Sequence, residues 1–351
     1  MTPDPAPMLS FRHLLTGAIE AFLAEQAFTA PATAVVVAEL AIVLAHYREE
    51  GDALHPLVVV CERLGALMAH LDARDALVMG EGPESPATVR QAIKTCAPLA
   101  QDGWTVFLDR EAARLRFGVF RTDDFVLRET PLEILRRTDD PGLRAVAVVR
   151  VADDVIELSG AVGAPRYVYL SGARTDAAPP GVVSRELLAS LTCGCGDAVR
   201  DDLVTFYRRV LLDVLRAAHG TLVAVVPAEP SARALFRDGV LLAAPLDVCA
   251  RIARYRAHPS DAAQASLQGL RALLRGMTSS DGITVLRTDG AIVGFNAFVA
   301  HTPAPAERRH AAPGGAQRRT FEALAGMLGR GLAAAYYCSQ DGHTECRRAA
   351  A

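Results

Sequence analysis

SDGITVLRTDGAIVGFNAFVA (residues 280–300), PGGAQRRTFEALAGML (313–328) and LAAAYYCSQDGH (332–343) are the three pieces of chain on which the fold is read. The first is an apolar strand from Ile283 to Leu286, an Asp-Gly hairpin turn at Asp289-Gly290, and a second strand. Such a dipeptide between two apolar runs is a strong short-range hairpin signal. The second piece is a glycine-rich turn, Gly314 to Thr320, opening a helix from Phe321 to Leu328. The third is a strand with its own turn at Asp341-Gly342.

Two chemical ends fall inside this region. Asp281-Gly282 follows a helical pattern (Leu267, Leu270, Leu274, Met277) and precedes a buried strand. A carboxylate at such a mouth can hold a divalent metal or take a proton, and glycine lets a ligand approach the backbone. Gly314-Gly315-Ala316-Gln317-Arg318-Arg319-Thr320 stands at a helix start, where unpaired N–H groups bind phosphates. Two arginines there oppose the helix dipole by about 0.3–1 kcal/mol each when exposed, which an anion between them and the N–H groups would reverse. Guanidinium forks match phosphate oxygens; the competing expectation is an ion pair with Glu322, one turn on. Tyr336 and Tyr337 point to opposite faces of their strand, so one is expected in the core and the other is available to stack on a base.

This arrangement resembles the diadenylate cyclase domain, whose motifs are Asp-Gly-Ala and, some thirty residues later, Gly-Thr-Arg-His-Arg. They read here as Asp281-Gly282-Ile283 and Gly315-Ala316-Gln317-Arg318-Arg319. His219 to Val226 and Gly239 to Leu246 are similar to the family's first two core strands, and Ser339-Gln340-Asp341-Gly342 falls where the family has Ser-Glu-Glu-Thr-Gly. The departures are Ile283 for alanine, Ala316 and Gln317 for threonine and arginine, Arg318 for histidine, and Gln340 for a metal-holding glutamate. With these departures the chain looks like the divergent relatives grouped as the sensor-domain family DACNV, proposed to bind nucleotides in bacterial conflict (anti-phage) signalling.

That resemblance implies an α/β fold: a mixed-sheet diadenylate cyclase-like C-terminal domain behind a separate mixed α/β domain. It implies a sensor for a nucleoside triphosphate or cyclic dinucleotide, or else an active nucleotidyltransferase using Mg²⁺ or Mn²⁺. The implied catalytic residue is Asp281, with Asp281 and Asp341 as metal ligands. Gly282, Gly315, Gln317, Arg318, Arg319, Thr320 and Ser339 are the implied nucleotide contacts. Condensing two nucleotides needs two facing sites, which implies a homodimer; a sensor implies an effector-protein partner.

The remaining sequence sets limits. A chain of 351 residues suggests two domains, with 51% hydrophobic and 22% charged residues, a globular balance. A net charge of −3 gives no footprint for a nucleic-acid polymer. The N-terminal MTPDPAPMLSFRHLL has prolines where an export signal needs charge and an apolar core, and no run is long enough to span a membrane, so a cytoplasmic protein is expected. Seven cysteines are too scattered for a zinc site, and Cys193-Gly194-Cys195 is too closely spaced for one.

Residues 1–172 read as a mixed α/β domain carrying no motif for chemistry. Helices are expected over 9–28, about 32–50, 62–72 and 131–137. Strands are expected at 56–61, 104–108, 115–121, 144–151, 155–158 and 166–170. The stretch 171–183 reads as a linker, 173–204 as linker and helix, and 205–351 as the nucleotide domain. Asp153-Asp154 is expected in a turn, and no internal repeat is evident.

Overall fold

The computed structural model describes residues 11–28, 31–50, 52–152, 154–170, 180–216, 220–228, 234–300, 315–339 and 343–350. The chain is mixed α/β and divides into two compact units, one made of residues 1–124 and 129–175, the other of 125–128 and 176–351.

The first unit contains α1 (Phe11–Glu25), α2 (Pro31–His46), the ribbon β1 (Arg48–Glu49) and β2 (Asp52–Ala53), β3 (Val58–Cys61), α3 (Leu64–His70) and β4 (Arg74–Pro83). It continues through α4 (Pro86–Cys96), β5 (Trp104–Glu111), β6 (Arg114–Arg121), α5 (Pro131–Arg137), β7 (Ala145–Ala152), β8 (Val155–Gly160) and β9 (Arg166–Tyr169). Its sheet runs β4-β6-β5-β3-β7-β8-β9, with β3 and β5 parallel and the other neighbours antiparallel. β3 is buried throughout, which is why it reads Val-Val-Val-Cys without alternation. Val58 and Val60 face α1, α2 and α4, while Val59 and Cys61 face α3 and α5.

The second unit contains α6 (Pro180–Thr192), α7 (Asp197–Arg216), β10 (Thr221–Val226), β11 (Phe236–Arg237), β12 (Val240–Leu246), α8 (Val248–Ala257) and α9 (Asp261–Thr278). After these come β13 (Ile283–Arg287), β14 (Ile292–Val299), α10 (Ala316–Ala325), β15 (Ala334–Cys338) and β16 (Thr344–Arg348). β10 lies at the centre between β13, parallel to it, and the antiparallel β15. β14 follows β13, β11 and β12 pair with β14, and β16 closes the other edge. Val223 and Val225 face the layer of α6 to α9, whereas Leu222, Ala224 and Val226 face α10. α6 and α7 pack on this sheet, and the apolar face of α7, Leu203, Phe206, Val210 and Val214, is buried as its helical spacing predicts.

The two sheets have the same topology. β3, β4, β5, β6, β7 and β8 take the places of β10, β12, β13, β14, β15 and β16, in the same chain order and sheet order. Each copy has a helix pair ahead of its central strand, a helical segment before its hairpin (α4 in the first, α8 and α9 in the second) and a single helix on the opposite face after it, while α3 and β9 have no counterpart in the second. Local details agree as well. Asp102-Gly103-Trp104-Thr105-Val106 stands where the second copy has Asp281-Gly282-Ile283-Thr284-Val285, and both glycines have φ of +90°. Arg74-Asp75 corresponds to Arg237-Asp238, with the aspartates at φ +51° and +48°. A Cβ on Gly118 would lie 1.9 Å from the Leu77 carbonyl oxygen, and one on Gly294 would lie 2.4 Å from that of Val240. Both glycines let an edge strand close onto its neighbour. The expectation of no repeat is therefore corrected: the chain repeats one strand plan, recognisable by its backbone and, in sequence, by little more than Asp-Gly-x-Thr-Val.

Candidate functional site

Parallel pairing of β10 and β13, with Leu222 opposite Ile283, brings Gly220-Thr221 and Asp281-Gly282 to the same end of the second sheet. β15 runs the other way, with Thr221 opposite Cys338, so Ser339 arrives there too. Three hydrogen bonds fix the approach to Asp281. Thr221 Oγ1 donates to the Thr278 carbonyl at 2.9 Å, Ser280 Oγ to that of Met277 at 2.7 Å, and Thr284 Oγ1 to the same Met277 oxygen at 3.2 Å. Asp281 itself is exposed, and no hydrogen bond or ion pair from the described residues engages its carboxylate.

Gly282 is at φ +90°, and a Cβ there would lie 2.9 Å from atoms of Asn296. Asn296 is itself left-handed, at φ +51°, within a bulged stretch where the β13–β14 register shifts between Ile283 and Val285. A β-bulge re-aims a side chain, and asparagine accepts the left-handed region better than most residues. Asn296 also abuts the β11–β12 edge, where a Cβ on Gly239 would lie 2.0 Å from its carbonyl oxygen. Sequence reasoning passed over Asn296; the available signal was a polar residue between Phe295 and Ala297 in an otherwise apolar strand.

α10 begins earlier than expected. Gly315 is its N-cap, with no side chain among the described residues capping the helix, so Arg318 and Arg319 are helical residues and not part of a preceding turn. Gln317 Nε2 donates to the Gly220 carbonyl at 3.1 Å, which holds the first turn of α10 against the mouth of β10. Gly315, Ala316 and Arg319 are exposed in that turn. Thr320 Oγ1 donates back to the Ala316 carbonyl at 3.0 Å. Ser339 Oγ accepts from the His343 N–H at 3.0 Å and closes the β15–β16 hairpin.

Arg318 occupies the ion pair weighed against a phosphate clamp. It binds Glu345, and its Nη2 lies 2.9 Å from Glu322. Arg347 binds the same two carboxylates, each at 2.7 Å, so two arginines and two glutamates alternate in a closed ring. Both guanidiniums lie over the Phe321 ring, at 5.3 and 5.0 Å. Hydrogen bonding from Arg347, against a smaller opposing effect of burial, holds the Glu322 carboxyl below its usual range. Any anion at this helix start therefore meets an Arg318 that Glu322 and Glu345 already neutralise.

Tyr336 and Tyr337 do face opposite sides of β15, but both are buried, and Tyr337 packs on Phe321 at 5.7 Å between ring centroids. Neither is open for stacking on a base. Asp289-Gly290 is a hairpin turn, with the Gly290 N–H donating to the Arg287 carbonyl at 2.8 Å. Gly314, Asp341 and Arg308-Arg309-His310 lie outside the described residues, as does Asp153; Asp154 has φ +58° in the β7–β8 turn.

The donor set for a metal is short. Among the described residues no three His, Cys, Asp or Glu side chains cluster. Asp281 supplies one carboxylate, which fits Mg²⁺ or Mn²⁺ only with oxygens from elsewhere, such as substrate phosphates. Among the described residues no helix is long and apolar enough to cross a membrane. No protein-family model and no curated protein matches the chain.

Proposed function

We propose that the second unit is a diadenylate cyclase-like sensor domain that binds a nucleoside triphosphate or cyclic dinucleotide at the Asp281 end of its sheet. The observation that supports this most is the joining of two separate motifs: Gln317 ties the helix start to Gly220, beside Asp281-Gly282. The start of α10, capped by no side chain among the described residues, suits phosphate. In this reading the protein acts in the cytoplasm within a bacterial nucleotide-signalling system of the conflict type, reporting occupancy to an effector protein or to a second copy.

The alternative is a nucleotidyltransferase, favoured by the exposed and unengaged Asp281 carboxylate. Asp281 would hold Mg²⁺ or Mn²⁺, which neutralises phosphate charge when bound. The reaction would form a bond from a 3′-hydroxyl to an α-phosphate with loss of pyrophosphate. Incubating the protein with labelled nucleoside triphosphates and either cation separates the readings. Saturable binding without pyrophosphate is the expected result; a dinucleotide that disappears in Asp281→Asn would establish synthesis; no binding would reject the transferase and the triphosphate sensor together.

A further inference from the structure

The repeated plan asks what the first copy does at its own Asp-Gly end. Asp102-Gly103 stands at the mouth of β5 as Asp281-Gly282 stands at the mouth of β13, but the surroundings differ in three ways. The Gly103 carbonyl is taken by the Thr122 N–H at 2.9 Å and by Thr122 Oγ1 at 3.2 Å. α5, the counterpart of α10, is only 7 residues long and starts with a proline that has no N–H. Its start is also closed by a capping box: the Glu133 N–H donates to Thr130 Oγ1 at 3.1 Å, while the Thr130 N–H and hydroxyl donate to the Glu133 carboxylate at 2.7 and 2.9 Å.

A capping box satisfies the donors that an anion would use and puts a carboxylate where a phosphate would sit. Thr130 and Glu133 are both buried, so this arrangement is part of the packed fold. The counterpart in α10 has Gly315 in place of threonine, no side-chain cap, and exposed Gly315 and Ala316. The first copy also carries its helix arginine at the far end, where Arg136 is bound to Glu157 on β8.

We infer that the chain has one nucleotide site for two copies of the fold: the second copy keeps phosphate recognition, and the first is a copy whose site has been closed by its own cap. The inference rests on the nucleotide reading of the Asp281 end. It has a consequence for chemistry. A reaction joining two nucleotides needs two competent sites, so a single chain does not supply them and two chains must meet.

Equilibrium dialysis of the full chain against radiolabelled ATP, and separately GTP, with Mg²⁺ tests this by counting sites. Binding is expected to saturate at one nucleotide per chain, to weaken at least tenfold in Arg319→Ala, and to be unchanged in Asp102→Asn. Thermal melting of each variant checks that it is folded. Two nucleotides per chain, or one that Asp102→Asn removes, would overturn the single-site inference and leave nucleotide binding standing. No binding of either nucleotide overturns the triphosphate reading of the Asp281 end, and this inference with it.

Discussion

Gln317 and Gly220 meet side chain to backbone across the end of the second sheet, with the amide Nε2 3.1 Å from the carbonyl oxygen. They are 97 residues apart in sequence, and their contact is what brings the start of α10 beside the Asp281 strand. A net hydrogen bond of this kind contributes about 0.5–1.5 kcal/mol. Gln317→Ala is therefore expected to lower unfolding free energy by about that amount in urea titration, with the m-value unchanged. Stability equal to wild type would mean that packing of Phe321 and Leu324 alone positions the helix.

Gly103 and Gly282 test whether the copies share a backbone requirement. Both have φ of +90°; a Cβ on Gly103 would lie 2.6 Å from the Thr122 carbonyl oxygen, and one on Gly282 2.9 Å from Asn296. Alanine at a positive φ costs about 1–2 kcal/mol, before any clash. Gly103→Ala and Gly282→Ala should each lower the melting temperature, whereas only Gly282→Ala should disturb nucleotide binding. Equal tolerance at both positions would show that the turn relaxes freely.

The ring of Arg318, Glu322, Arg347 and Glu345 predicts a pH dependence. The Glu322 carboxyl is held below its ordinary value when folded, chiefly by its hydrogen bond from Arg347. A group whose pKa is depressed on folding stabilises above its unfolded pKa, about 4.3 for glutamate, and loses that contribution as pH falls through the folded value. The stability gap between wild type and Glu322→Gln should be constant from neutrality to about pH 5 and shrink below it. Denaturant titrations at a series of pH values read this directly, and a gap independent of pH would rule out Glu322 as the titrating group.

Cys195 and Cys249 are free thiols with their sulfurs 3.1 Å apart, and Cys193 beside them is exposed. Burial, and then the hydrogen bond with Cys195, push the Cys249 thiol up to about 12. A thiol held protonated is a poor nucleophile, so proximity favours a disulfide while chemistry slows it. With diamide as the two-electron acceptor, Cys193 should react with an alkylating agent fastest. The Cys195–Cys249 disulfide should then form slowly and be reversed by dithiothreitol. Peptide mapping that finds only other pairings would refute this.

Much of the architecture is legible because the central strands are apolar runs bounded by turn residues, and because α1, α7 and α9 carry clear helical spacing. The strand β4 and helix α4 were not read. β4 is an edge strand with Leu77, Val78 and Met79 exposed, so burial imposes no alternation on its sequence. The start of α10, which lies before Phe321, is not legible because no large apolar residue stands in the first turn, Ala316 to Thr320, to extend the helical pattern back from Phe321. In the fold Glu322 and Glu345 neutralise Arg318, and Glu345 is 27 residues away in sequence. Asn296 was missed because hydrophobic periodicity does not register a left-handed backbone. The repeat escaped notice because a core conserves volume and pattern more strictly than residue identity, leaving only Asp-Gly-x-Thr-Val in common at the site.

Two like-shaped sheets on one ribbon also pose a sorting problem as the chain folds. A β5–β6 hairpin has the right direction to zip beside β10, and a β13–β14 hairpin to zip beside β3. Side-chain bulk argues against the exchange: Trp104, Phe107 and Phe117 stand where the other hairpin has Ile283, Leu286 and Val293. A swapped pairing would overfill one interior and leave holes in the other, a penalty of a few kcal/mol on each side. The aromatic weighting of the first hairpin thus works as an address label, steering each half of the chain back to its own centre.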